Sequence, residues 1–242
     1  MDQPGYVMLS RLSAQLRSTQ VLANNIANAD TPAYRAERPV FARHLMPARD
    51  GLGNAGVAYS IDRATWRDQQ QGPLATTGNP LDLALRGEGY FVLETPQGER
   101  YTRAGHFTMD STGKLTDADG NAVLDSRGGP MAFAPGDSRI EVQGDGTVRS
   151  ENGIIGQLRV VRFGDPQRLR AEGARMFAAD EPPETVARPQ VVQGSIEGSN
   201  VSAIAEITRM TEDVRQFQFA SQFAEREGER LQGAVDRILR RH

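Results

Sequence analysis

A glycine-rich run at 51–56, with the sequence GLGNAG, has the spacing of a phosphate-binding fingerprint. In dinucleotide-binding proteins such glycines let the backbone approach a pyrophosphate at a helix N-terminus. That chemistry requires a strand before the glycines and an amphipathic helix after them, and neither pattern flanks this run. The run is therefore predicted to be a flexible loop that binds no nucleotide.

Two further sets of residues have types that bind metal ions. Asp117, Asp119 and Asn121 have the spacing of the first calcium ligands in a helix–loop–helix site, but Gly128 stands where that loop needs a bidentate glutamate. The segment is predicted to be a turn. The three histidines are far apart in the sequence, and no two have the helical spacing of zinc ligands. We predict no metal site.

Hydrolytic chemistry has little support in the sequence. No nucleophile elbow or HExxH pair is present, and the carboxylates Asp82 and Glu88 flank a predicted turn, as expected of ordinary surface residues. The absence of cysteine excludes disulfides, thiolate metal sites and cysteine nucleophiles. We therefore predict no catalytic residue, no cofactor, no small-molecule substrate and no enzyme activity.

Composition and charge limit the partners. The net charge is −3 and no dense cluster of Lys and Arg occurs, which argues against nucleic acid as a partner. No run approaches the roughly 18 apolar residues of a membrane span, and the first residues lack a Sec-type signal pattern. If the protein leaves the cytoplasm, it is expected to use a route that reads no such signal.

The elements that would position any functional residue begin with two helices. Near the C-terminus, apolar and small residues recur at spacings of three and four between charged residues of both signs, which is a heptad pattern. It predicts a helix from about 199 to 241. The same alternation occurs from Leu9 to Ile26, and Pro32 follows the end of that helix. The shared pattern predicts that the two helices pair as a coiled coil; ordinary core helices of a bundle are the alternative.

Between the helices the period changes from 3.6 to 2, and turn signals recur at short intervals. The predicted fold class is α+β: long terminal helices that pair as a discontinuous coiled-coil domain, and a central all-β domain of short strands. The predicted segments are an N-terminal helix at 1–32, an extended connector at 33–75 that Trp66 anchors, the β domain at 76–194, and a C-terminal helix at 195–242.

Three stretches resemble signatures of the flagellar rod and hook protein family. The first is ANNIANADTPAY at 23–34, the second is GNPLDLALRGEGYF at 78–91 with YTRAGHF at 101–107, and the third is QGSIEGSNV at 193–201. Their order matches that of the family. One departure is Ala33, which replaces the glycine usual before the aromatic residue.

The resemblance implies a structural subunit of the flagellar basal-body rod, most similar to the proximal rod proteins, that polymerises through its terminal helices. A distal rod or hook-type axial protein is the main alternative, and a periplasmic enzyme acting on peptidoglycan is a weaker one. The implied partners are neighbouring rod proteins, copies of the same chain in a helical array, and the flagellar type III export apparatus. The implied location is the basal body, across the periplasm, without a cleaved signal peptide.

The candidate assembly residues fall into two groups. Those of the N-terminal helix and its signature are Leu9, Leu12, Leu16, Asn24, Asn25, Ile26, Asn28, Pro32 and Tyr34. Those of the C-terminal apolar stripe are Ile207, Met210, Val214, Phe217, Leu231, Val235 and Ile238.

Overall fold

The computed structural model describes residues 3–46, 57–137 and 139–239, with side chains described over 10–40, 65–137, 139–226, 228–230 and 232–233. The chain divides into two compact units. The helical unit comprises Met1–Ala27, Glu37–Asp68 and Ser202–His242, and the β unit comprises Asn28–Ala36 and Gln69–Val201.

The described part of the helical unit contains two helices and one hairpin. Helix α1 spans Gln3–Ala27 and helix α2 spans Ala203–Leu239. Strands β1 (Glu37–Met46) and β2 (Val57–Arg67) pair in antiparallel fashion, with a bulge after Val40. Helix α1 packs against α2 and against both strands. The segment 33–75, predicted as an extended connector, thus contains a long hairpin that is part of this unit.

The predicted coiled coil between the terminal helices is wrong for the described residues. At the contact, Gln15 Nε2 of α1 donates to the Asp213 carbonyl at 2.6 Å, and the Ser18 hydroxyl donates to the Asp213 carboxylate at 2.6 Å. Ile207 and Val214, which the heptad pattern assigns to the buried stripe, are exposed. Polar groups therefore take part in the contact between the helices, and the hairpin also packs against α1.

The β unit is built from sixteen short strands joined by tight turns. Their bounds are β3 Leu74–Thr76, β4 Leu83–Leu85, β5 Tyr90–Thr95, β6 Gly98–Thr102, β7 Thr108–Met109, β8 Leu115–Thr116, β9 Ala122–Val123, β10 Glu141–Val142, β11 Thr147–Ser150, β12 Gly153–Gln157, β13 Val160–Arg162, β14 Arg170–Glu172, β15 Met176–Ala178, β16 Glu184–Thr185, β17 Val191–Gln193 and β18 Ser195–Glu197. A 3₁₀ turn, Pro166–Arg168, precedes β14.

One large sheet organises the β unit, with strand order β14-β15-β6-β5-β9-β8-β7 and with β13 pairing both β5 and β16. Strands β10, β11 and β12 form a second sheet, while β17 pairs with β4 and β18 pairs with β3. All these pairs are antiparallel. Hairpins with two- to five-residue turns explain why the sequence shows so many Gly and Asp residues here.

Strand β5 lies at the centre of the core. Phe91 and Leu93 belong to one buried cluster, whereas Tyr90 and Val92 belong to another. Successive side chains of a strand point to opposite faces, so β5 supplies both clusters at once. The rings of Phe91 and Phe107 pack edge to face with centroids 5.3 Å apart. The β unit therefore closes its own apolar core.

The turns of this unit are held by aspartates. Asp117 Oδ1 accepts from the backbone N–H groups of Asp119 and Asn121 at 2.9 and 2.8 Å, so the calcium-like stretch is confirmed as a turn. The predicted strand at Met176–Ala178 is confirmed with the same bounds. Among the described residues, neither helix combines the length and the apolar character that crossing a bilayer requires.

Candidate assembly site

The signature residue Asn25 anchors the helical unit near the end of α1. Its amide is fully buried and pairs with Glu37 in both directions: Oδ1 accepts from the Glu37 N–H at 2.9 Å, and Nδ2 donates to the Glu37 carbonyl at 2.9 Å. An asparagine side chain has a donor and an acceptor side by side, so it can match a backbone peptide in this way. Asn25 therefore fixes the start of β1 against α1.

Asn25 also reaches the first turns of α2. Its Nδ2 donates to Glu206 Oε2 at 3.2 Å, and the guanidinium of Arg38 donates to both Glu206 oxygens at 2.7 and 2.9 Å. Arg209, one turn further along α2, adds a contact of 2.9 Å. The buried carboxylate of Glu206 is thus stabilised by two cations and an amide, which a buried charge requires. One side chain joins α1, β1 and α2.

A second buried carboxylate, Glu197, holds together the stretches of the β unit. Its oxygens accept from Arg103 Nε at 2.7 Å and from the Gly72 N–H at 3.3 Å, and Arg35 lies at 3.6 Å. Its carbonyl accepts the N–H of Ala33 at 2.9 Å. Both arginines are buried with it. Glu197, which belongs to the third signature stretch, therefore contacts Ala33 of the first stretch and Arg103 of the second.

Asp82 forms a neighbouring junction from its backbone and its carboxylate. Its carbonyl accepts from the Gly194 N–H at 2.8 Å, while its carboxylate accepts from the Thr77 hydroxyl at 2.6 Å and from Asn79 at 3.1 Å. His106 Nδ1 lies 2.7 Å from the same carboxylate. Because these oxygens bind residues of the same turn, the arrangement stabilises the loop at 77–82.

Asn200 completes the third signature stretch within the β unit. Its Oδ1 accepts from the Ala36 N–H at 2.7 Å, its Nδ2 donates to the Gln70 carbonyl at 2.9 Å, and its N–H donates to the Tyr34 carbonyl at 3.2 Å. The residue thereby satisfies backbone groups of two segments that have no strand partner there. Like Asn25, it is a structural side chain.

Helix α2 has an apolar surface that no described residue covers. Phe219 and Phe223 are 73% and 62% exposed, and because they are four residues apart they lie on the same side of the helix. Ile204, Ile207 and Val214 are also exposed. The buried positions Glu206 and Ala220 lie on a different side. Exposed aromatic residues that cluster in this way are typical of a protein–protein contact surface.

The predicted assembly residues are distributed unevenly. Asn25 and Tyr34 are buried, Leu16, Asn24, Ile207 and Val214 are exposed, and Leu12, Ile26, Asn28, Pro32, Met210 and Phe217 lie between. The side chains of Leu9, Leu231, Val235 and Ile238 are outside the part of the chain whose side chains the structure describes. The structure brings Asn25 to Glu206 and does not gather the predicted stripe of α2 on one buried face.

Sequence reasoning missed the charged residues that join these segments. Glu197 and Arg103 lie inside the quoted signature stretches, but nothing in their local spacing marks them as partners 94 positions apart. Glu206 sits among charged residues of α2, a pattern that is typical of the solvated side of a helix, so the sequence does not indicate its burial.

The site as a whole holds chain segments in place. Within the described ranges, no group of three His, Asp or Glu side chains is arranged to hold a metal ion. The buried carboxylates of Glu197 and Glu206 accept hydrogen bonds from arginine donors, which stabilises the segments that carry them. The exposed phenylalanines of α2 are available to a partner.

Comparison with known families gives three matches in chain order. Residues 6–35 match the family described as flagella basal body rod protein, residues 84–150 match the flagellar hook protein FlgE/F/G D1 domain, and residues 192–237 match the flagellar basal body rod FlgEFG protein C-terminal family. The matched segments include Asn25, Glu197 and the Arg103 partner of Glu197.

Similar proteins extend the match to the whole chain. The flagellar basal-body rod protein FlgF of Caulobacter vibrioides is 33% identical over 98% of both chains. The FlgF protein of Escherichia coli is 31% identical, with 90% of this chain and 91% of the relative covered. The flagellar basal-body rod protein FlgG of Agrobacterium fabrum is 30% identical, with coverages of 87% and 89%.

Proposed function

This chain belongs to the flagellar basal-body rod protein family, and we propose that within the rod it takes the position of FlgF. It is a structural subunit of the bacterial flagellum and is located in the basal body. The assignment to FlgF over FlgG rests on the relatives: FlgF proteins of five bacteria are 31–33% identical to it, whereas FlgG proteins are 28–30% identical.

The partners follow from this role. The chain packs against neighbouring rod proteins and against copies of itself in a helical array. In such an array each subunit presents different faces to different neighbours, which is a heterologous assembly. Export through the flagellar type III apparatus, in an unfolded state, is part of the same proposal. None of these contacts needs a cofactor or a small-molecule substrate.

One observation carries the proposal that the chain polymerises through its terminal region, namely the exposed phenylalanines of α2. Phe219 and Phe223 leave two aromatic side chains in water on one side of α2. Burying one such side chain stabilises an interface by about 1.5–3 kcal/mol. A subunit that is incorporated into the rod can bury this surface against its neighbours. The exposure of the phenylalanines therefore favours an assembly role.

The test uses the double variant Phe219→Asp/Phe223→Asp. Both side chains are exposed in the isolated chain, so the variant should express and should melt at the same temperature as the wild type. In cells it should be missing from purified basal bodies and motility should be lost, because a carboxylate cannot be buried in the contact without a large penalty.

The matched control is Gln218→Asp/Gln222→Asp, which adds the same two charges at the same spacing on the same turns of α2. Both glutamines are exposed. This variant should enter basal bodies and support swimming in soft agar. Full motility of the phenylalanine variant, or equal loss in both variants, would show that the exposed aromatic surface is not the polymerising contact.

A further inference from the structure

Helix α2 carries a symmetric arrangement of residues on the side that includes Phe219 and Phe223. Positions on this side follow one another at alternating spacings of four and three, as 212, 216, 219, 223, 226 and 230. Residues three and four apart lie on the same side of a helix. The side chains at all six positions are exposed. We call this series the phenylalanine stripe. Its centre is position 221, so each position has a mirror position on the other side of 221.

The central and end positions of the phenylalanine stripe are complementary to their own mirror images. Phe219 mirrors Phe223, and Glu212 mirrors Arg230. Two identical helices that pack in antiparallel fashion, with position 221 at the crossing, bring mirror positions opposite each other. Each phenylalanine then meets a phenylalanine, and each end pairs a carboxylate with a guanidinium. A guanidinium has five N–H donors, so Arg230 can bind this carboxylate in addition to an acceptor of its own chain.

The other positions of the stripe and its edges fit the same arrangement. Arg226 mirrors the neutral Gln216. Arg215, which is exposed next to Gln216, mirrors position 227, which is a glutamate in the sequence. Like charges of this side therefore do not meet between 212 and 230. A parallel pair in the same register would instead set Glu212 against Glu212 and Arg230 against Arg230. The charges thus select an antiparallel pair of two identical copies.

The contact between two such stripes is short. From 212 to 230 the stripe is about 27 Å long at a rise of 1.5 Å per residue. Phe219 and Phe223 are 73% and 62% exposed, so pairing removes both rings of each copy from water. Aromatic side chains at the centre of an interface supply most of its affinity, whereas exposed ion pairs at the ends mainly set the orientation. We expect a dissociation constant roughly in the micromolar range or weaker.

We propose that two unassembled copies of this chain form a two-fold symmetric dimer through the phenylalanine stripes of their α2 helices. A two-fold contact uses the same surface on both copies, so it closes on itself and cannot propagate into a helical array. The dimer uses the surface that the proposed function assigns to the rod contact, although it forms without the rod. Each copy must therefore leave the dimer before it polymerises, and the dimer covers the phenylalanines until then.

Sedimentation equilibrium of the purified full chain tests the dimer in the absence of the rod. Between about 5 and 500 µM the average mass should rise from that of the monomer toward that of the dimer and no further. Phe219→Asp/Phe223→Asp should stay monomeric over the whole range, because carboxylates would meet at the centre of the contact. Thermal melts at the low end of the range report the monomer and should be the same for both proteins.

A charge exchange tests the antiparallel register. Glu212→Arg alone sets an arginine against Arg230, and Arg230→Glu alone sets a glutamate against Glu212. Each variant should dimerise about tenfold more weakly than the wild type. An equimolar mixture of the two variants should recover most of the affinity, since each new charge then meets its opposite on the other copy. Glu225→Arg makes the same charge change at an exposed position outside the stripe and should change the affinity by less than about twofold.

Cysteine crosslinking shows which positions are adjacent, because the chain has no cysteine of its own. Gln216→Cys and Arg226→Cys, on copies with different affinity tags, should give a product of twice the chain mass that carries both tags after oxidation with diamide. In the antiparallel pair, position 216 of one copy is about 15 Å along the helix axis from position 216 of the other. Gln216→Cys alone should therefore give much less product than the mixture.

Failure of the dimer and failure of the rod role are distinguishable. A wild-type chain that stays monomeric up to about 500 µM, or that grows beyond the dimer, overturns the dimer whatever basal bodies contain. A mixture of the charge variants that associates no better than either variant alone also overturns it, as does equal crosslinking of Gln216→Cys with itself and with Arg226→Cys. If the dimer forms but the wild-type chain is absent from basal bodies, the proposed function fails and the dimer stands.

Discussion

The β unit and the helical unit bury their side chains in different ways. In the β unit, Phe91, Val92 and Leu93 have no exposure at all, and two apolar clusters flank one strand. In the helical unit, the buried side chains among the described part of α2 are Glu206 and Ala220, while Phe219 and Phe223 face water. The β unit buries its apolar core within a single chain, whereas the helical unit leaves apolar side chains exposed that a neighbouring subunit can cover.

The polar networks of the two units also differ in how far their charged side chains are exposed to water. In the β unit the side chains of Arg103 and Glu197 are 2% and 1% exposed, so both charges are removed from water. In the helical unit Glu206 is equally buried, but its partners Arg38 and Arg209 are 32% and 52% exposed. Partly hydrated arginines can move with little cost. The β unit should therefore be rigid and the helical unit adaptable.

The largest expected effect comes from removing core volume in the β unit. Phe91→Ala should lower the free energy of unfolding by about 3–5 kcal/mol, since a fully buried phenylalanine leaves a cavity. Urea denaturation followed by hydrogen exchange of peptides from β5 and β6 measures it.

The matched variant in the helical unit is Phe219→Ala. Because Phe219 is exposed, the same substitution should change the free energy of unfolding by less than about 0.5 kcal/mol. Similar losses for the two variants would mean that α2 is already packed in the isolated chain, and the contrast between the units would fail.

The next effect concerns the two arginine networks. Arg103→Met should cost about 3 kcal/mol because Glu197 then keeps a buried charge whose remaining cation, Arg35, lies 3.6 Å away. Arg38→Met should cost about 1 kcal/mol, since Glu206 retains Arg209 and Asn25 and the lost partner was partly hydrated.

The measurement is chemical denaturation of both variants at neutral pH, with exchange of β6 peptides for one and of α1 peptides for the other. The order of the two losses is the critical result. An Arg38 variant that is less stable than the Arg103 variant would show that the helical unit depends on its network as strictly as the β unit does.

Much of the β unit could be predicted from the sequence because its structure is locally encoded. Alternation in period 2 and frequent Gly and Asp turns place strands correctly, as at Met176–Ala178, and the aspartate turn at Asp117 follows from its neighbours. Turn chemistry acts over two to four residues, so a single sequence contains it. The sheet order required pairing over long distances and was not predicted.

The helical unit was predicted less well because heptad spacing shows an apolar stripe without naming its partner. The stripe through Ile207 and Val214 was assigned to the other helix, yet those residues face water and Asp213 makes the contact. The hairpin of β1 and β2 escaped because its segment has no sustained period. Asn25 lies in the first signature stretch, but its partner Glu206, 181 positions away, left no local signal.

Acid should affect the β unit through its turn aspartates. The backbone N–H of Lys114 and the Thr112 hydroxyl hold the pKa of Asp110 below its usual value, and the Thr147 N–H does the same for the pKa of Asp145. A carboxyl group whose pKa is lower in the folded state stabilises the fold above its unfolded pKa, which is about 3.9. That stabilisation is lost as the pH falls through the folded pKa.

The variant Asp110→Asn/Asp145→Asn tests this sign. It should be less stable than the wild type at pH 7, and the difference should shrink as the pH falls below about 4, where the wild-type carboxyl groups take up protons. Thermal melts between pH 7 and pH 3, read by exchange of β7 and β11 peptides, measure the difference. A constant difference over this range would show that these turns do not depend on ionised carboxylates.

The smallest effect tests Ala33, a non-glycine residue with a positive φ. Its φ of 59° lies in the left-handed region, which costs an L-residue about 1–2 kcal/mol. Ala33→Gly removes that cost, but the more flexible unfolded chain takes back about 0.5–1 kcal/mol and the buried methyl group a fraction more. We expect a net gain of about 0.5 kcal/mol. Ala36→Gly is the control, since Ala36 is buried without a positive φ and should lose about 1 kcal/mol. Urea denaturation measures the change in the free energy of unfolding for both variants. A gain for Ala33→Gly and a loss for Ala36→Gly would show that backbone strain at Ala33 decides the outcome. If both variants lose stability, the hydrogen bond from the Ala33 N–H to the Glu197 carbonyl already holds this backbone without strain.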